Sequence, residues 1–136
     1  LVDTNKKFQY SKDNGNTWNT LNLNQQTSEV QYSSHVSNEG WEDYVSDGAV
    51  TGNFNDENTY HFEALKLNLI TNQVNGMGIK YKAHCANVGW QDWVSNGAEA
   101  GTTGQGLSLQ ALNIELTNAQ QGFHVYYQAC VQGLGW

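Results

Sequence analysis

One twelve-residue pattern occurs three times in this chain, and it limits the possible folds more than any other feature. Val30-Gln-Tyr-Ser-Ser-His-Val-Ser-Asn-Glu-Gly-Trp41 returns as Ile79-Lys-Tyr-Lys-Ala-His-Cys-Ala-Asn-Val-Gly-Trp90 and as Val125-Tyr-Tyr-Gln-Ala-Cys-Val-Gln-Gly-Leu-Gly-Trp136, 49 and 46 residues apart. Two further stretches follow the same spacing. Glu42-Asp-Tyr-Val-Ser-Asp-Gly48 matches Gln91-Asp-Trp-Val-Ser-Asn-Gly97, and Glu63-Ala-Leu-Lys-Leu-Asn-Leu69 matches Gln110-Ala-Leu-Asn-Ile-Glu-Leu116. A period of this length marks a supersecondary unit that buries its apolar face only against its neighbours.

Inside the unit the period is two. Val30, Tyr32, Ser34 and Val36 share a face, as do Ile79, Tyr81, Ala83 and Cys85, and then Val125, Tyr127, Ala129 and Val131. This alternation predicts half-buried strands. Leu65, Leu67, Leu69 and Leu112, Ile114, Leu116 predict a second strand type, while Tyr60, Phe62 and Leu107, Leu109 before them have the opposite parity. A slip of one residue at the same place in both copies predicts a bulge near Glu63-Ala64 and Gln110-Ala111, whose polar side chain satisfies backbone groups freed there. Asp47-Gly48 and Asn96-Gly97 are tight-turn pairs. The expected fold is all-β: a single domain, residues 1–136, of three meander repeats about a pseudo-threefold axis. The divisions are 1–50 (an N-terminal hairpin plus the first repeat), 51–97, and 98–136, the last truncated. A β-prism suits these meanders best and a β-trefoil second. The short strand Phe8-Gln-Tyr10 is expected to fill a vacant place in the third meander, which brings the N- and C-termini together.

Composition narrows the function. The chain of 136 residues carries a net charge of −7, with 6 Lys, no Arg and no Pro, and 29 of its residues are Asn or Gln. Lysine-poor and arginine-free, it lacks the phosphate contacts that nucleic-acid binding needs, and the same deficit disfavours anionic lipid. No apolar run reaches the roughly 20 residues of a membrane span. No zinc, EF-hand or P-loop spacing occurs, so neither metal nor cofactor is expected. Cys85 falls on the inward face and Cys130 on the outward face of different units, which predicts free thiols, Cys85 acting as a small apolar core residue.

The run from Ala83 to Leu112, above all Gly89-Trp-Gln-Asp-Trp-Val-Ser-Asn-Gly-Ala-Glu-Ala-Gly-Thr-Thr-Gly-Gln-Gly106, resembles the clostridial hydrophobic repeat with its Gly-Trp pair, the ChW repeat. The first copy departs from it, with Asn53-Phe-Asn-Asp-Glu-Asn58 in place of the Thr-Thr-Gly-Gln loop. The resemblance implies an extracellular or cell-surface protein of a Gram-positive bacterium, bearing modules that bind surface polymer or carbohydrate. It also implies no catalytic residues, and further ChW repeats or other domains in a longer parent chain. Ser11-Lys-Asp-Asn-Gly-Asn-Thr-Trp18 is similar to the Asp-box of sialidase propellers. Its physical content is a hairpin turn, and the absence of Arg removes the carboxylate clamp a sialidase needs.

The expected function is therefore a non-catalytic, lectin-like extracellular module that binds a glycan or cell-wall polymer; the alternative is a protein–protein interaction or assembly module of a bacterial surface protein. A hydrolase is disfavoured because no nucleophile–base pairing is visible. The candidate ligand residues are the aromatic–carboxylate pairs Trp93 with Asp92 and Tyr44 with Asp43, the outward histidines His84 and His35, and the turn residues Asn96 and Asp47. An aromatic face takes the C–H side of a sugar ring while a neighbouring acceptor takes its hydroxyls. The Gly-Trp tryptophans Trp41, Trp90 and Trp136 are expected to pack in the core near the pseudo-axis, with an exposed platform as the alternative.

Overall fold

The computed structural model describes residues 8–10, 16–17, 19–21, 28–52, 60–71 and 76–136. Among them there is no helix: eleven strands form antiparallel sheets, none closed into a barrel. At the N-terminus β1 (Phe8–Tyr10) pairs with β2 (Asn19–Leu21), Phe8 opposite Leu21. The expectation that Phe8–Tyr10 completes the third meander is thus replaced by a local hairpin. The Asp-box turn between these strands lies outside the described residues, as does the N-terminus, so the expected proximity of the termini lies there too.

The first large sheet is built on β3 (Ser28–Val36), flanked by β4 (Gly40–Trp41), β5 (Val45–Ser46) and β6 (Phe62–Thr71). The second repeats it one unit later, with β7 (Gly78–Cys85) flanked by β8 (Gly89–Trp90), β9 (Val94–Ser95) and β11 (Leu109–Thr117). Each Val/Ile-x-Tyr strand therefore pairs with the Leu-rich strand that follows it in sequence. The predicted bulge is present in both sheets. Val36 pairs with Phe62 and His35 with Ala64, leaving Glu63 as the extra residue; Cys85 pairs with Leu109 and His84 with Ala111, leaving Gln110. The turn pairs hold left-handed backbone, Asp47 at φ 46° with Gly48 at 86° and Asn96 at 44° with Gly97 at 83°, the two successive positive φ values of a type I′ turn.

The core lies between the sheets. Leu65 and Leu67 of β6 meet Ile79, Tyr81, Ala83 and Cys85 of β7. Ala100, from β10 (Ala100–Gly101), completes the cluster. β10 joins the two sheets directly: though it follows β9 of the second sheet in sequence, it pairs with β6 of the first, Ala100 opposite Leu65 and Gly101 opposite Ala64. A Cβ on Gly101 would stand 2.3 Å from the Glu63 carbonyl oxygen at a φ of 125°, so only glycine permits this approach. Cys85 is buried and Cys130 exposed, both as free thiols, and burial pushes the Cys85 thiol upward against a bond from Thr102.

The third copy behaves differently. Residues 123–130 form no strand, and beyond them only a Val131–Gly135 bridge occurs. Val125 touches the core cluster, but Tyr126, Tyr127, Leu134 and Trp136 are exposed. Among the described residues two large sheets, built on β3 and β7, are present where three about an axis were expected.

Candidate functional site

The outward face of the second sheet carries two accessible tryptophans, Trp90 and Trp93, near polar side chains. Alternation along β7 turns Ile79, Tyr81, Ala83 and Cys85 into the core, which leaves Lys80, Lys82 and His84 on the other side. The β7–β8 register places Trp90 opposite His84. Their rings meet edge to face, 5.4 Å between centroids and 78° between planes. Trp90 is 50% exposed and Trp93 38%. The Lys82 ammonium lies between them, 4.9 Å from the Trp90 ring centre and 5.0 Å from that of Trp93. Lys80 stands 4.4 Å over Trp93 and is 2.8 Å from the Glu115 carboxylate across the β7–β11 pair. Asp92, beside Trp93, is exposed.

The first sheet has the same frame with different contents. His35 meets Trp41 edge-on at 5.4 Å. Gln31 and Ser33 stand where the second unit has Lys80 and Lys82. Instead Lys66 reaches from β6 to 3.8 Å over Trp41, leaving that ring half-buried. Tyr44 and Asp43 are exposed.

The eight candidate residues thus fall into different roles. Trp93 and His84 share the second sheet's outward face, Asp92 is exposed next to Trp93 in sequence, and Tyr44 and Asp43 lie in the first unit. Asp47 and Asn96 act on their own backbone: Asp47 Oδ1 accepts the Val30 N–H at 3.2 Å and Asn96 Oδ1 the Ile79 N–H at 3.1 Å. His35 is turned to a different task, with Nδ1 2.9 Å from Glu63 Oε2, a contact that becomes an ion pair whenever the imidazole is protonated. The expected burial of the Gly-Trp tryptophans does not hold for Trp90 or for Trp136, which is 66% exposed. For Trp90 the reason is register: paired across the strand with the outward His84, it points outward with it. Lys80, Lys82 and Glu115 were missed as site residues, although period-two parity with His84 marks both lysines.

A second polar cluster sits where the units meet. Glu63 is wholly buried, and its carboxylate accepts N–H bonds from Gly104 at 3.0 Å and Gly106 at 2.5 Å. Burial raises its pKa, but the two glycine N–H groups and His35 outweigh this and hold it below the ordinary carboxylate value. The bulged residue therefore anchors the next unit's glycine loop, rather than the bulge's own backbone. Ser37, Asn38, His61, Glu63, Gly104 and Gly106 line an adjoining cleft of about 290 Å³, and His61 Nδ1 is 2.9 Å from Ser108 Oγ. In the first unit Glu42 plays a related part. Burial opposes its charge, yet bonds from Ser34, Gly52 and Thr51 bring its pKa down. Its counterpart Gln91 exchanges two bonds with the Gly101 backbone.

Among the described residues no helix is long and apolar enough to cross a membrane. No curated protein and no solved structure gives a match to the chain. One family model does, and it covers the span from the outward His84 through the Trp90–Trp93 face and the glycine loop to the end of β11: residues 84–118 match the ChW family, described as Clostridial hydrophobic W.

Proposed function

We propose that this protein is a non-catalytic, extracellular or cell-surface module that binds carbohydrate or a cell-envelope polymer on the outward face of its second sheet. The observation that supports this reading is the pair of accessible rings, Trp90 and Trp93, flanking the Lys82 ammonium, with His84 and Asp92 beside them. Stacking of C–H groups on an indole and hydrogen bonding to adjacent polar groups are the two contacts a hydroxyl-rich ligand needs. Tyr44 with Asp43 provides a second, weaker contact in the first unit.

The test is a glycan array together with pulldown from bacterial cell walls. Trp93→Ala is expected to reduce retention by about tenfold, the effect of removing about 1.4 kcal/mol of stacking, while the melting temperature changes little. Loss of retention only in variants that also unfold, or no retention of any glycan or wall fraction by the intact chain, rules this site out.

A further inference from the structure

The junction between the two units is made of two complementary surfaces, and each recurs at an end of the two-sheet body with no such counterpart among the described residues. On one side of the junction is the outer edge of β6. Leu67 donates its N–H to Tyr81 Oη at 2.9 Å and accepts the Gly97 N–H at 2.6 Å. Leu65 and Ala64 pair with β10, and the Glu63 carbonyl accepts the Thr102 N–H at 3.0 Å. On the other side are Tyr81, whose hydroxyl also donates to the Ala98 carbonyl, and the glycine-bounded segment 97–101. Ala64, Leu65, Leu67 and Tyr81 are all buried as a result.

The same β6 positions in β11 are Ala111, Leu112 and Ile114, and all three are only half-buried. Ile114 is opposite Tyr81 as Leu67 is opposite Tyr32. The shared register directs its N–H and C=O away from β7, toward an edge with no strand on it among the described residues. Tyr127, the third copy's counterpart of Tyr81, is exposed and does not fill this place. At the other end, Tyr32 repeats Tyr81. Its hydroxyl donates to the Ala49 carbonyl, but no strand N–H comes to it among the described residues, and the ring is half-buried. Gly48 repeats Gly97, yet its N–H makes no bond of the Gly97–Leu67 kind among the described residues. Gly52 repeats Gly101, and a Cβ there would meet only the Phe62 ring, at 3.3 Å.

We infer that copies of this chain associate head to tail, the β11 edge of one taking the 48–52 segment and Tyr32 of the next as β6 takes 97–101 and Tyr81. The pairing is heterologous, and repetition of it gives short linear assemblies rather than a closed dimer. It goes beyond ligand binding, since the Trp90–Trp93 face lies on the other side of the second sheet and takes no part.

Sedimentation of the purified chain from about 1 to about 500 µM is the first test, with a mass that rises by mass action expected. Gly52→Ala blocks one surface, because the added methyl meets the Ala111 backbone of the next copy as it would meet Ala64 at Gly101. Ala111→Lys blocks the other, an edge lysine being a common guard against strand addition. Each variant alone is expected to self-associate at least about tenfold more weakly, while an equimolar mixture of the two forms a dimer and stops there. Tyr32→Phe removes the acceptor without adding volume, so it weakens association even if Gly52→Ala proves poorly folded. A constant single-copy mass for the unaltered chain, or association that neither blocked end reduces, overturns the proposal.

Discussion

Glu63 and Gln110 hold the same place in two copies of one unit. Each is the extra residue of a bulge at the start of a Leu-rich strand. Yet Glu63 is wholly buried and bound by two glycine N–H groups, while Gln110 is exposed. The bulge itself is therefore a property of the unit's own sequence, and what is built on it is a property of the neighbour. Residues 97–106, which follow the second Gly-Trp segment, turn the first bulge into a buried anchor; among the described residues the second bulge has no such loop against it.

This contrast gives a ranked set of expectations. The largest effect is at Gly101. Gly101→Ala forces a methyl to within 2.3 Å of the Glu63 carbonyl oxygen on a left-handed backbone. It is expected to cost about 3 kcal/mol or more in urea unfolding, the sum of overpacking and backbone strain. The same change at Gly52, which faces the edge of the Phe62 ring, costs less; equal losses at the two sites would erase the distinction between a used and an unused junction. Next, Glu63→Ala leaves the Gly104 and Gly106 N–H groups without their carboxylate and is expected to cost about 1–3 kcal/mol, whereas Gln110→Ala stays within about 0.5 kcal/mol.

The third expectation concerns acid. Both Glu63 and Glu42 have folded pKa values below the ordinary 4.5. A group lowered on folding contributes stability that is complete above its unfolded value and disappears as pH falls through its folded value. Melting temperature followed from neutral pH downward should therefore be flat to about the unfolded carboxylate value near 4.3 and then fall. Glu63→Gln should start lower and fall less steeply, and parallel curves would show that Glu63 is not part of the acid transition. The smallest effect separates the tryptophans. Trp41, half-buried beneath Lys66, should cost more stability on change to Ala than the half-exposed Trp90, by about 1 kcal/mol on area grounds.

Much of this architecture could be read from the repeats. The opposite parity of Tyr60, Phe62 and of Leu65, Leu67 located the bulge to the residue, because a sheet with one buried face permits only one register. The turn pairs were equally plain, since two successive positive φ values select Asn or Asp followed by Gly. Two things were not legible. Three copies of the Val-x-Tyr pattern suggested three sheets, but a strand is completed by its partner, and residues 123–130 pair with no strand among the described residues. The Gly-Trp tryptophans read as core because they are large and repeated. Their direction depends on the cross-strand neighbour, and pairing Trp90 with the outward His84 is a fact of the hairpin. Of the candidate site, Trp93, Asp92 and His84 were found from residue type alone. The contact of His35 with Glu63 was not legible, because Glu63 lies 28 residues further along and meets it only through the β3–β6 pairing.

The pairing of each Val/Ile-x-Tyr strand with the Leu-rich strand that follows it also sets an order in time. Ser28 waits for Thr71, and Gly78 for Thr117. As the chain emerges from its N-terminus, the first sheet can close only after about forty more residues have been made, by which point β7 is next to be synthesised. The inner surface of the first sheet is then the template on which Ile79 and Tyr81 settle. A defect early in the chain, at Tyr32 or Leu67, is thus expected to delay everything downstream, whereas one at Ile114 leaves the first sheet's assembly untouched.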